Sequence, residues 1–262
     1  MDATRSERAA VAVLKVGVAA QCIGAAWKFT LTDSSLDSFA LMELGWSAGA
    51  AAGVDRVQVL LLATSAVVAL TRPRSLLLLV PALLFAIEAA AHGAGHERFS
   101  DLAPFAAAIR VAAPIALVLL ARPTARVAAE RTLRVAIAVA FVAHGLEAWA
   151  RHPAFVDLLL AFELRLRALG LGIGLDERAA RDLLIVIAVH DFVLAALLVA
   201  RRWRAVASWM AIWGGCAALA RVVQGGGVLW FEAALRACHA AAPLAVAILF
   251  ARGRAERQTP SQ

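Results

Sequence analysis

Charge is scarce in this chain. Only 17% of its 262 residues are charged and 62% are hydrophobic, with a mean hydropathy of +0.78, whereas soluble domains carry about 25% charged and roughly 45–50% apolar residues. A water-soluble fold has no interior large enough for that much apolar surface. Cysteine is also sparse: Cys22, Cys216 and Cys238 stand singly in apolar stretches, with no C-x-x-C and no Cys–His spacing, so dithiol chemistry and zinc ribbons are disfavoured and packing roles are expected. Period-2 alternation is missing, which argues against a β-barrel. The polar start, Met1 to Arg8, runs into an apolar stretch without an A-x-A-like cleavage site, so it reads as a retained first span rather than a removed signal.

Motifs for nucleotides and metals are lacking too. The clusters Gly170-Leu171-Gly172-Ile173-Gly174 and Gly225-Gly226-Gly227 have no following Lys-Ser/Thr and no preceding strand, so they read as turns. There is no H-E-x-x-H and no Glu-x-x-His; Glu88 with His92, and His92 with His96, share only an i, i+4 spacing, and no metal is expected. No nucleophile–base arrangement can be argued from spacing, which leaves an enzymatic role open. The net charge of +7 is confined to short loops, so no nucleic-acid partner is expected.

What is present is a series of long apolar runs. A spanning helix needs about 20 such residues, and eight segments qualify, near 9–29, 55–71, 74–92, 102–121, 132–150, 180–200, 204–224 and 229–251. Backbone polar groups must be satisfied internally in lipid, so the expectation is an all-α polytopic membrane bundle. With eight spans, Arg5 and Arg8, Arg72 and Arg74, Arg122 to Arg134, Arg201 to Arg204, and Arg252 to Arg257 fall on one side. The positive-inside rule then makes that side cytoplasmic and places both termini there, as in a bacterial cytoplasmic membrane. Ser34 to Ala52 and Phe155 to Leu171 are too polar to cross and read as amphipathic helices in the outer interface.

Each half thus reads as a span, an interfacial segment and three further spans. Ala112-Ala113-Pro114-Ile115-Ala116 recurs as Ala241-Ala242-Pro243-Leu244-Ala245, and Gly24 and Trp27 are echoed by Gly145 and Trp149. The expected organisation is therefore two four-helix repeats, residues 1–126 and 127–252, with a polar, disordered cytoplasmic tail at 253–262. Gly17, Gly24, Ala25, Ala143, Gly145, Gly214 and Gly215 would allow close helix approach between the halves.

The second half resembles a known family. Leu133-Arg134-Val135 through Phe141-Val142-Ala143-His144-Gly145-Leu146, then His152-Pro153-Ala154-Phe155, is similar to the opening of DoxX-type membrane proteins, and Ile187 to Leu198, with His190-Asp191, is similar to their second span. The family often has a lysine shortly after the His-Gly, where this chain has Glu147-Ala148; Lys28, after Gly24, stands at the comparable place in the first half. The resemblance implies a four-helix unit in tandem and an association with quinone-linked membrane electron transfer.

Ionisable groups inside spans are costly and point to function. By the topology above, Lys28, Asp55, Gln58, Glu88, His92, Arg110, His144, Glu147, Arg221, Gln224, Glu232, Arg236 and His239 gather in the outer half, with His190 and Asp191 nearer the midplane. The candidate ligand-binding set is Glu88, His92, Arg110, His144, Glu147, His190, Arg221, Arg236 and His239. Three readings compete: internal salt bridges of a non-catalytic assembly subunit, an outward-facing pocket for a quinone head group, and a transporter for an anion or small solute. Haem b is a lesser candidate, needing two of His92, His144 and His239 at one depth. Expected partners are the lipid bilayer, a quinone or membrane redox partner, and further subunits in a homo- or hetero-oligomer.

Overall fold

Alanine- and leucine-rich runs with few interior breakers dictate helices. The computed structural model describes residues 3–95 and 99–258, so His96 and the first two residues of the polar N-terminus lie outside the described residues. Among the described residues there is no strand. The helices are α1 (Ala3–Leu31), α2 (Ser35–Met42), α3 (Ala48–Thr71), α4 (Leu79–Ala94), α5 (Ala103–Ala106), α6 (Ala108–Leu120), α7 (Arg126–Trp149), α8 (Pro153–Ala168), α9 (Glu177–Ala200), α10 (Arg204–Gly225), α11 (Trp230–Leu235) and α12 (Ala237–Gln258). Their starts follow from local chemistry. Ser34, Ser47, His152 and Asp176 each accept a backbone N–H of the first turn of α2, α3, α8 and α9, satisfying donors that a helix otherwise leaves orphaned.

Seven helical segments are long and apolar enough to cross a membrane, and an eighth apolar helix, Ala237–Ala251, is shorter. The expected final span over 229–251 is not continuous. The chain turns at Arg236, whose N–H bonds to Ala233 O while His239 N–H bonds back to Arg236 O, separating six-residue α11 from α12. The span expected at 102–121 breaks likewise at Ala107, between α5 and α6. The polar segment 34–52 is also shorter than expected as an interfacial element: α2 ends at Met42, and Ala48 to Ala52 already belong to α3. The second polar segment is helical over most of its length as α8. Of the expected tail, the helical backbone of α12 takes in residues up to Gln258, and the last four residues lie outside the described residues.

The element order repeats. Each half has a long helix, a short one, two long ones and a final helix broken once and carrying an interior proline, Pro114 in α6 and Pro243 in α12. The first helix of each half packs on the last helix of the other, α1 on α12 and α7 on α6, and α6 also touches α12. This reciprocal packing gives one core shared by both halves, including Leu14, Cys22, Ile109, Leu117, Leu133, Ile137 and Leu249. A satellite cluster of Ala148, Val156, Ala180, Leu184 and Ala188 underlies α8. Cys22 and Cys238 are buried, Cys216 is exposed, and all three are free thiols.

The outside of the bundle is as apolar as its inside. Leu60, Val67, Leu83, Val186 and Leu219 are each more than 60% exposed. At roughly 25 cal/mol per Å² of apolar surface, such a coat fits lipid contact and not water. Helix ends pair as an alternating bundle requires. Arg126 meets Glu7, Arg74 Nε donates to Ala121 O, and Arg202 meets Glu130 at one end, while Lys28 meets Glu232 at the other.

Small residues set two close approaches that matter for the site. A β-carbon at Gly24 would collide with the backbone of Phe231 and Leu235, and one at Gly214 with the carbonyl of His239. Of the small residues expected between the halves, Gly17 and Gly24 do lie against α11 and α12 there. Gly145, by contrast, packs on Phe192 and Gly214 on His239, both within the second half.

Candidate functional site

The break at Arg236 brings two polar side chains, three residues apart, to one cavity. Arg236 and His239, with Arg221, Trp213 and Gly214 from α10, His144 and Phe141 from α7, and Leu184, Ile187 and Asp191 from α9, enclose a cavity of about 340 Å³. Helix α8 covers it with Phe155, Leu158, Leu159 and Phe162. The walls are chiefly apolar and the polar groups are few, the composition expected of a small-molecule site.

Each polar group has a definite state. His144 Nδ1 lies 2.9 Å from Glu147 Oε2, and its ring centroid is 5.7 Å from that of His239. His239 Nδ1 is buried without a hydrogen-bond partner. The Trp209 indole N–H donates to His190 Nε2 at 2.8 Å, so the proton of a neutral His190 sits on Nδ1 and is donated to Asp191 Oδ1 at 3.1 Å. Asp191, 5% exposed, shares the cavity wall with Trp213, so a carboxylate held by His190 faces the cavity.

Cations outnumber their partners. Glu232 binds both Lys28, at 3.1 Å, and Arg236. Arg221 reaches Gln224 Oε1 at 3.4 Å and forms no ion pair among the described residues. Arg110 presents its carbonyl to Gln21 Nε2, while its buried Nε has no partner. In a region of low dielectric, the under-coordinated guanidinium groups of Arg110 and Arg221 favour electron-rich oxygen atoms.

The nine sequence candidates therefore divide. His144, Arg221, Arg236 and His239 converge on the cavity, Glu147 holds His144, and Arg110 lies beside them, within the electrostatic reach of Arg236 and His239. Three do not belong to it. His92 is exposed, and His190 points to Trp209. Glu88 serves the first half: its carboxylate accepts from Ser35 N, Leu36 N and Gln58 Nε2. Sequence reasoning missed the cover formed by α8 and the part of Trp213; the apolar periodicity of residues 155–162 marks that face, which closes the cavity in addition to making the helix amphipathic.

On the outer flank of α8, Glu163 ties the following loop. It accepts from Arg167 Nε at 2.8 Å and from the backbone N–H groups of Ile173 and Gly174. The Arg167 hydrogen bond, chief among these, holds its carboxyl below the usual carboxylate range.

The chain matches no known protein family, no curated protein and no solved structure.

Proposed function

We propose that the chain is a DoxX-like tandem protein of the bacterial cytoplasmic membrane, with both termini inside, that binds a quinone head group in the cavity of its second half. The observation that carries this reading is the convergence of His144, Arg221, Arg236 and His239 on a cavity whose remaining walls are chiefly apolar and aromatic. A quinone ring matches the walls formed by Phe141, Phe155, Phe162 and Trp213, and its carbonyl oxygens match donors on His239, Arg221 and Arg236. The guanidinium groups of Arg221 and Arg236 on the cavity wall would stabilise negative charge on a reduced ring. The repeated element order and the DoxX-like residues around His144 support the family part of the proposal. A pure assembly subunit with every charge paired fits less well, because Arg221 lacks a carboxylate and a cavity is present.

The test is solvent extraction of quinone from the detergent-purified protein, together with oxidised and reduced absorption spectra. A stoichiometric quinone is expected, and His239→Leu is expected to reduce its retention about tenfold, the equivalent of one hydrogen bond. An empty extract would overturn the proposal, and a Soret band that shifts on reduction would replace quinone by haem ligated through His144 and His239.

A further inference from the structure

The first half contains a second polar centre that the quinone reading does not use. Where the chain leaves α1 and enters α2, Asp33 and Asp37 meet Asp55 of α3, and a carboxylate oxygen from each lies within 4.8 Å of the others. Asp37 and Asp55 are only 6% and 8% exposed, while Asp33 is open to solvent. No lysine or arginine among the described residues forms an ion pair with any of the three. Asp55 Oδ2 accepts from Ser34 N at 3.1 Å, but Asp55 Oδ1 and Asp37 Oδ1 are both buried with no hydrogen-bond partner. Three like charges so close repel one another, and a buried carboxylate oxygen left bare is costly.

We infer that Asp33, Asp37 and Asp55 form a binding site for a hard divalent cation of calcium size. All the donors are oxygen atoms, which selects hard cations over zinc or copper. Their separations, none above 4.8 Å, let all three oxygens reach one ion at the roughly 2.3–2.6 Å distances of Ca²⁺, and three protein carboxylates suit Ca²⁺ better than Mg²⁺, which keeps most of its waters and takes one or two carboxylates. Exposed Asp33 gives the ion an entry path and leaves room for water ligands. The ion would bridge the start of α2 to α3, beside the hydrogen bonds that Gln58 makes to Ser34 and Glu88. Its role would be to fix the entry of α2.

The experiment uses the full chain in detergent, stripped with a chelator and titrated with Ca²⁺ or Mg²⁺ while thermal unfolding and ⁴⁵Ca²⁺ retention are followed. Calcium is expected to raise the unfolding midpoint by several degrees and to be retained, with a much smaller response to magnesium. Asp33→Asn, at the exposed position where the fold is not at risk, is expected to lower calcium affinity at least about tenfold. No retention and no shift would overturn the inference, as would an equal response to magnesium or an Asp33→Asn variant that binds calcium like the parent.

Discussion

The two halves place the same elements in the same order, yet the space beneath their short helices is used in opposite ways. In the first half the region under α2 is filled by Ser34, Asp55, Gln58 and Glu88, which hydrogen-bond one another and the start of α2. In the second half the region under α8 is the cavity. The spacing that separates Pro114 from Pro243 also carries Asp55 onto Leu184, Gln58 onto Ile187 and Glu88 onto Ala217, and the last three line the cavity. The short helices differ to match. Glu88 receives the first N–H groups of α2, while α8 begins with Pro153, which has no N–H to place, and is capped by His152 itself. Two carboxylates and an amide in the first half are thus matched by Leu184, Ile187 and Ala217 in the second, and with α8 capped by its own His152 the space beneath it stays open.

This contrast can be broken from either side. The largest effect on stability is expected for Glu88→Leu, which strands Ser35 N and Leu36 N and leaves Gln58 Nε2 with Ser34 Oγ alone; thermal or denaturant unfolding in detergent should show a loss of about 2–4 kcal/mol. Gly214→Ala is expected to be next, because its new methyl meets the His239 carbonyl. It should cost about 1–3 kcal/mol in the same assay and lower ligand retention by pushing α12 away from the cavity. Glu163→Gln sharpens the comparison at the α8 end. The folded-state carboxyl lies below its usual range, so its contribution is present above that range and is lost as pH falls through the lowered value. The unfolding midpoint of the parent should therefore decline in acid more steeply than that of the variant. The smallest effect belongs to exposed His92: His92→Ala should change stability by no more than about 0.5 kcal/mol and leave ligand retention unaltered.

Much of this architecture was legible in the sequence because hydrocarbon imposes a simple rule, a long apolar run for every crossing. The runs at 132–150, 180–200 and 204–224 correspond closely to α7, α9 and α10. The breaks at Ala107 and Arg236 were not legible, since apolar residues continue on both sides and the turn depends on backbone bonds rather than on a marker residue. The start of α3 was hidden for a related reason: Ala48 to Gly53 have neither charge nor bulk to distinguish a helix from a loop. At the site, the gathering of charge toward one end followed from helix alternation alone. Partner choice did not, because Glu88 with Ser35, and Lys28 with Glu232, meet only through tertiary packing. Asp191 stands out in the sequence as an acid within a span, but its place on the cavity wall beside Trp213 of α10 becomes visible only when α9 and α10 are side by side.

The most direct test of the central claim, that the second half keeps open a pocket which the first half fills, is quinone extraction from the parent and from Ala217→Glu, each checked for a cooperative unfolding transition. The parent should yield stoichiometric quinone, and the variant, with a carboxylate restored where Glu88 stands in the first half, should remain folded and yield almost none. Equal retention by both proteins, or a folded parent that yields no quinone, would contradict it.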